Sequence, residues 1–206
     1  MKVAFFTEME SFPKEALNRE YKNMRTEFAW MVALNADHYN FNDNNISKHY
    51  DLGIVINSKK NPEWVNVSKL KTYCDKVAVM QEGPFWYFQD YPLSKQIQYF
   101  NNLADADIIY AHNKSDAEYY KGLVNHKDVR VLKSLMYSNP IKTITHPENR
   151  SGVMIGGNMK SWYGGFDSFM LASSITDKIY QPKMGRREEG EEELGLTQLP
   201  YMMWDE

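Results

Sequence analysis

Two hydrophobic spacings alternate along this chain. Lys2 to Thr7 (Lys-Val-Ala-Phe-Phe-Thr) is a short apolar run closed by polar residues, the pattern of a parallel strand buried on both faces. Leu17, Tyr21, Met24, Phe28 and Met31 then recur at spacings of three and four, which puts them on one face of a helix. Asn18, Arg19, Lys22 and Arg25 fall on the other side. The alternation repeats with Asp51 to Ile56 as a strand and a helix carrying Trp64, Val67, Leu70 and Cys74 on its apolar face. Lys76 to Met80 follows as a strand, then a helix from Leu93 to Leu103 with Leu93, Ile97, Phe100 and Ala104 in register. Asp107 to Tyr110 is a further strand, and Ser115 and Glu118 have the capping-box spacing ahead of a helix bearing Ala117, Tyr120 and Leu123. Val129 to Leu132 closes the series.

Strands alternating with helices predict βαβ units, and right-handed crossovers then place helices on both faces of a parallel sheet. The expected fold class is α/β, a Rossmann-like parallel sheet over residues 1–135. Met136 to Arg150 breaks the rhythm with Ser138-Asn139-Pro140 and His146-Pro147-Glu148-Asn149, and reads as a linker. From 151 to 206 the pattern restarts as a second, partial Rossmann-like unit: a strand at Gly152 to Ile155, and a helix with Phe166, Phe169, Met170 and Ser173 along one side. Strands at Lys178 to Gln181 and Leu196 to Met203 complete it, separated by the charged run Glu188 to Glu193, expected to be solvated. So few strands leave an open sheet face, so the sequence is expected either to extend the first domain or to stop inside a larger one, and the second is favoured.

Composition narrows the functional classes. A formal net charge of -3 over 206 residues, with no basic stripe, gives no electrostatic footprint for nucleic acid. The single cysteine, Cys74, forms no internal disulfide and points to a reducing, cytoplasmic compartment. Glu8 and Glu10 end the first apolar run too soon for a signal peptide or a membrane span. Cys, His and carboxylate residues show no metal-ligand spacing, so no metal is expected.

Chemistry-bearing residues cluster after the predicted strands. Glu82, beside Gly83 and Pro84, His112 and Glu8 each follow a strand, where ligands of α/β sheets gather. Each could take a proton as a general base or serve as a loop-surface or capping residue. His38, His49, His126 and His146 carry no partner pattern and are read as surface residues. Phe85-Trp86-Tyr87-Phe88 with Tyr91 offers stacking faces for a sugar or a base, or a hydrophobic plug over the sheet. The stretch Gly156-Gly157 to Gly164-Gly165 would let backbone N–H groups approach a diphosphate, with Lys160 adding charge, or would simply form a turn. It is not a Walker A loop, because Met159 stands where glycine must precede Lys-Ser, nor a dinucleotide fingerprint. Arg186 and Arg187 suit phosphate contacts or ion pairs with Glu188 and Glu189.

The segment Gly152-Val153-Met154-Ile155-Gly156-Gly157-Asn158-Met159-Lys160-Ser161-Trp162-Tyr163-Gly164-Gly165 resembles the first strand, donor-side loop and helix of the C-terminal domain of GT-B glycosyltransferases. The stretch Gln81 to Leu123, with Gln81-Glu82-Gly83-Pro84 and Ala111-His112-Asn113, is similar to their acceptor-side half, phage-encoded members included. The resemblance implies transfer of a sugar from a nucleotide-sugar donor to an acceptor it does not name, without a cofactor or metal. It implies catalysis by Glu82, His112 or Glu8, and acceptor contacts from Trp86, Tyr87 and Asn113. Donor contacts would come from Gly156, Gly157, Asn158, Lys160 and Arg186. The family's late glutamate-bearing donor segment has no counterpart up to Glu206. A non-catalytic Rossmann-like binding or assembly module, meeting a protein partner or a missing C-terminal half, is the competing expectation.

Overall fold

The computed structural model describes residues 1–14, 26–82, 91–135, 151–156, 164–182 and 194–199. The chain divides into two compact units, Met1–Ser138 and Asn139–Glu206. The predicted linker, 136–150, lies outside the described residues, as do Leu17, Tyr21, Met24 and the run Glu188 to Glu193.

The first unit runs β1 (Val3–Thr7), α1 (Thr26–Leu34), β2 (Asp37–Asn40), β3 (Tyr50–Asn57), α2 (Val67–Leu70), β4 (Cys74–Gln81), α3 (Leu93–Asp105), β5 (Ile108–Ala111), α4 (Lys114–Val124) and β6 (Val129–Val131). Its six strands form one sheet in the order β2-β1-β3-β4-β5-β6, and every neighbouring pair is parallel. The α/β class expected from the alternation is therefore the class observed.

Strand alternation sorts the core onto two faces. Ala4 and Phe6 of β1, Val55 of β3, Val77 and Val79 of β4 and Ile109 of β5 pack with Leu70, Tyr99, Leu103, Ala117 and Tyr120 from α2, α3 and α4. Val3, Phe5, Ile54, Ile56, Ala78, Met80 and Ile108 point the other way and meet Phe28 and Met31 of α1. Burying a side chain of this size contributes about 1.5–3 kcal/mol, and both sheet faces are covered, as an all-parallel sheet requires.

Gly53 shows how tightly β3 is held. A Cβ there would stand 2.7 Å from Cys74 Sγ and 3.0 Å from the Phe6 ring. Gly53→Ala is expected to cost about 1–3 kcal/mol by overpacking. In Gly53→Ala/Cys74→Ala the new methyl takes the space of the sulfur, so the double variant should lose less than the sum of the singles. Denaturant titration of the four proteins checks this; strict additivity would refute the contact.

Several predicted elements differ in detail. β2 was not anticipated, because Asp-His-Tyr-Asn is no apolar run; it is an edge strand, where polar residues are at home. The predicted helix from Trp64 to Cys74 is a 3-10 turn at Pro62–Trp64 followed by the short α2, and Cys74 opens β4. Asn66 restarts the helix by accepting the Lys69 N–H at 2.9 Å, and Trp64 is left exposed. On α3 the buried residues are Tyr99, Asn102 and Leu103, while Leu93 and Ile97 face outward. On α4 the cap is Asn113, whose Oδ1 accepts the Asp116 N–H at 2.8 Å, rather than Ser115, and Leu123 is exposed.

The second unit holds β7 (Val153–Met154), α5 (Gly165–Ser173), β8 (Ile179–Pro182) and β9 (Thr197–Leu199), in a parallel sheet ordered β7-β8-β9. Ile155, Ala172 and Ile179 form its small core, with Val153, Phe169, Leu194 and Leu196 packed around them. Phe166, Met170 and Ser173 of the predicted apolar face are exposed. Gly165 and Ala172 are buried instead, because small residues let α5 approach the sheet. Among the described residues no helix is long and apolar enough to cross a membrane.

Candidate functional site

The helix after β1 covers one face and those after β3, β4 and β5 cover the other, so the winding reverses between β1 and β3. In open parallel sheets the crevice at the carboxyl ends of such strands is where ligands bind. A cavity of about 10 Å³ lies there, lined by Thr7 at the end of β1, Glu8 and Met9 after it, Ile56 and Ser58 of β3 and its loop, Glu82 after β4, Glu27 of α1, and Phe41. That is the space of one water oxygen or one hydroxyl.

Each wall has a local cause. Glu8 is carried out of the sheet by the end of β1, and its main-chain oxygen accepts Asn40 Nδ2 at 3.1 Å. Ser58 Oγ, 3% exposed as a residue, lies 3.4 Å from Glu8 Oε2 and accepts the Asn61 N–H at 3.1 Å. Glu82 is half-buried, and its Oε2 accepts the Lys59 N–H at 2.8 Å, which fastens the loop after β3 to the end of β4. Glu27 stands in the first turn of α1, where the helix dipole favours a negative charge.

Lys59 lies behind this wall, buried. Burial pushes its amine down to about 8, against the pull of Glu82 and Asp116, which favour the charged form. Asp116, also buried, accepts Gln81 Nε2 at 2.5 Å, and Gln81 Oε1 accepts the His112 N–H at 3.1 Å. These bonds tie the ends of β4 and β5 to the first turn of α4. The His112 ring is set as well: Nδ1 is 3.3 Å from the Leu132 carbonyl oxygen, which only accepts, so Nδ1 carries the proton and Nε2 the lone pair of the neutral ring.

Of the sequence candidates, Glu8 and Glu82 are brought to one cavity; His112 stands one strand along, outside its lining. Asn113 is exposed and caps α4. Gly156 follows β7 and is exposed, and a Cβ on it would meet nothing within 4 Å. Gly157, Asn158, Lys160, Arg186, Trp86 and Tyr87 lie outside the described residues. Thr7, Glu27, Ser58 and Lys59 are additions that sequence reasoning missed. Ser58 and Lys59 answer to the rule that flagged Glu82, namely position just after a parallel strand.

The histidines read as surface residues require correction in one case: His38 is 2% exposed, because β2 pairs with β1 and turns its ring toward Phe12. His49 bonds Asp75 and His126 bonds the Ala106 carbonyl oxygen, each at 2.8 Å, while His146 is outside the described residues.

With three carboxylates on its walls the cavity disfavours phosphate and suits groups that donate hydrogen bonds, such as hydroxyls. Among the described residues no three His, Cys, Asp or Glu side chains are grouped to hold a metal ion. No family model and no curated protein matches the chain. The fold and the site define an α/β protein with a doubly wound parallel sheet and a polar, carboxylate-lined crevice at its switch point.

Proposed function

We propose that the chain is a metal-independent glycosyltransferase of GT-B organisation, or the part of one that carries the acceptor site. The observation that carries this reading is that Glu8 and Glu82, from different strands, line the same hydroxyl-sized cavity. In the proposed reaction an acceptor hydroxyl enters that cavity and gives its proton to Glu82 as its oxygen attacks the anomeric carbon of the donor sugar. The bond from that carbon to the diphosphate oxygen breaks, and the nucleoside diphosphate leaves with the electron pair. The acidic crevice is a poor place for that anion, so the proposed donor contacts are those the resemblance implies, Gly156, Gly157, Asn158 and Lys160, with Arg186 as a further one.

Calorimetric titration with UDP, GDP and their sugar conjugates, with and without magnesium, tests the donor half. Saturable binding of one nucleotide, independent of magnesium and weakened at least tenfold in Lys160→Ala, is the expected result. Absence of binding to all of them would overturn the donor assignment.

One observation favours a non-catalytic assembly module instead. Phe166, Met170, Leu171 and Ile175, on α5 and just after it, are 52%, 55%, 66% and 70% exposed. Apolar residues grouped so closely are characteristic of surfaces covered by another chain. Sedimentation that shows self-association, together with no nucleotide binding, would support that reading.

A further inference from the structure

The segment Glu8–Lys14, which carries one wall of the switch-point cavity, is strapped across the edge strand β2, and the strap converges on one buried histidine. Asn40 Nδ2 donates to the main-chain oxygens of Glu8 and Met9, at 3.1 and 2.9 Å. The Asn40 N–H donates to Ser11 Oγ at 2.7 Å, and that hydroxyl in turn donates to Asp43. Phe12 lies flat on the His38 ring, with centroids 4.0 Å apart and 21° between planes, and its other neighbour is Phe28 of α1. His38 Nε2 is 2.8 Å from Thr7 Oγ1, the atom that also accepts the Met9 N–H at 3.1 Å. His38 Nδ1 is buried and has no hydrogen-bond partner.

That arrangement suits a neutral imidazole alone. A neutral ring can donate from Nε2 to Thr7 and orphans only the lone pair on Nδ1. An imidazolium carries a proton on both nitrogens, so it would bury an N–H without an acceptor together with a net charge, and both are expensive. Among the described residues the charges near the ring are few. Asp43, beyond Ser11, favours the protonated form. Asp37 of the same strand, Lys14 at the end of the strap and Lys48 ahead of β3 line the pocket that His38 borders, and Lys48 holds Asp37 at 3.0 Å. Glu8 and Glu27 line the cavity on which Thr7 opens.

We propose that protonation of His38 releases the segment Glu8–Lys14 from β2 and opens the Glu8 wall of the switch-point cavity, so that the site is acid-gated. The device works independently of the chemistry carried out in the cavity. A charged ring must leave its place between Thr7 and Phe12 to reach water, and in leaving it withdraws its contacts to both, two of those that hold the strap.

The sign follows from linkage. Burial holds the closed form's imidazole down to about 4, against an ordinary 6.5. The closed strap is thus favoured at neutral pH. As the pH falls through 6.5 the open form takes up the proton, and the open fraction rises until the closed form titrates too. Between pH 7 and pH 4.5 the open population should grow on the order of fifty-fold.

The amides of Met9 and Asn40, which donate to Thr7 Oγ1 and Ser11 Oγ, report the strap by hydrogen exchange followed by NMR. Corrected for intrinsic rates, their protection in the full chain is expected to fall by that factor from pH 7 to pH 4.5. It should be indifferent to pH in His38→Phe, which keeps a ring against Phe12, and low at both pH values in Asn40→Ala. Equal protection at the two pH values in the wild type, or the same acid response in His38→Phe, would overturn the proposal. Should His38→Phe not fold, the His38 ring resonances of the wild type decide: a ring that titrates at the ordinary 6.5 refutes the gate, and a midpoint held well below it supports the gate.

Discussion

On the proposed function, the Glu82→Gln substitution is expected to lower the rate of sugar transfer about 10²- to 10⁴-fold, the range that a positioned general base supplies, with the fold intact. The amide is nearly isosteric, and its oxygen can still accept the Lys59 N–H that Glu82 Oε2 accepts at 2.8 Å. The loop after β3 therefore stays fastened while the proton acceptor is lost. A second readout is independent of turnover. Glu82 is one of two carboxylates that favour the charged form of Lys59, so the amine should titrate below its value of about 8 in the variant. Steady-state transfer assays and an NMR titration of Lys59 measure the two effects. Wild-type turnover with a displaced Lys59 midpoint would move the role of base to Glu8 or His112; neither effect would mean that Glu82 is remote from both.

Asn102→Leu should destabilise the first unit by about 2–4 kcal/mol, although it puts a more apolar residue into a buried position. Asn102 Nδ2 donates to Asn57 Oδ1 at 3.0 Å and to the Pro62 carbonyl oxygen at 2.8 Å, and Asn57 Nδ2 donates to the Tyr99 carbonyl oxygen at 3.0 Å. Both asparagines are buried. Leucine would leave two acceptors without that donor, at a place where water cannot easily replace it. Asn57 directly precedes Ser58 and Lys59, so the loss reaches the wall of the crevice. Urea unfolding of Asn102→Leu, Asn57→Leu and the double variant measures it. The double variant should lose less than the sum, because removing both partners of a bond is cheaper than orphaning one. Additive losses would show that the pair is not coupled.

Asn102 also explains where the sequence misled. Apolar spacing alone puts Leu93, Ile97, Phe100 and Ala104 on the inner face of α3, yet the helix is rotated to bury Tyr99, Asn102 and Leu103. A buried polar residue is invisible to a rule that equates inside with apolar; its partners, Asn57 and Pro62, are distant in sequence. Strands β1, β3, β4 and β5 were legible because strands covered on both faces are nearly continuous apolar runs. β2 was not, since an edge strand tolerates Asp37 and Asn40. Glu8 and Glu82 were legible from their position after strands. Their convergence was not, because it depends on β3 pairing with β1 across the switch point. The burial of His38 was hidden for a related reason: its cover, Phe12, belongs to the loop after β1.

The interior place of β1 has a consequence for biosynthesis. Val-Ala-Phe-Phe-Thr is wholly buried, yet its neighbours are β2, from Asp37, and β3, from Tyr50 to Asn57. A ribosome adding roughly 5–20 residues per second takes seconds to reach Asn57, and the exit tunnel delays its release further. Through that interval a short, uncharged, aromatic-rich segment has no native strand to pair with, the composition most apt to join strands of another chain. Nascent copies on one crowded message would be most at risk. Yield should therefore depend on sparse loading of each message with ribosomes or on a chaperone that occupies Val3–Thr7 until β3 emerges.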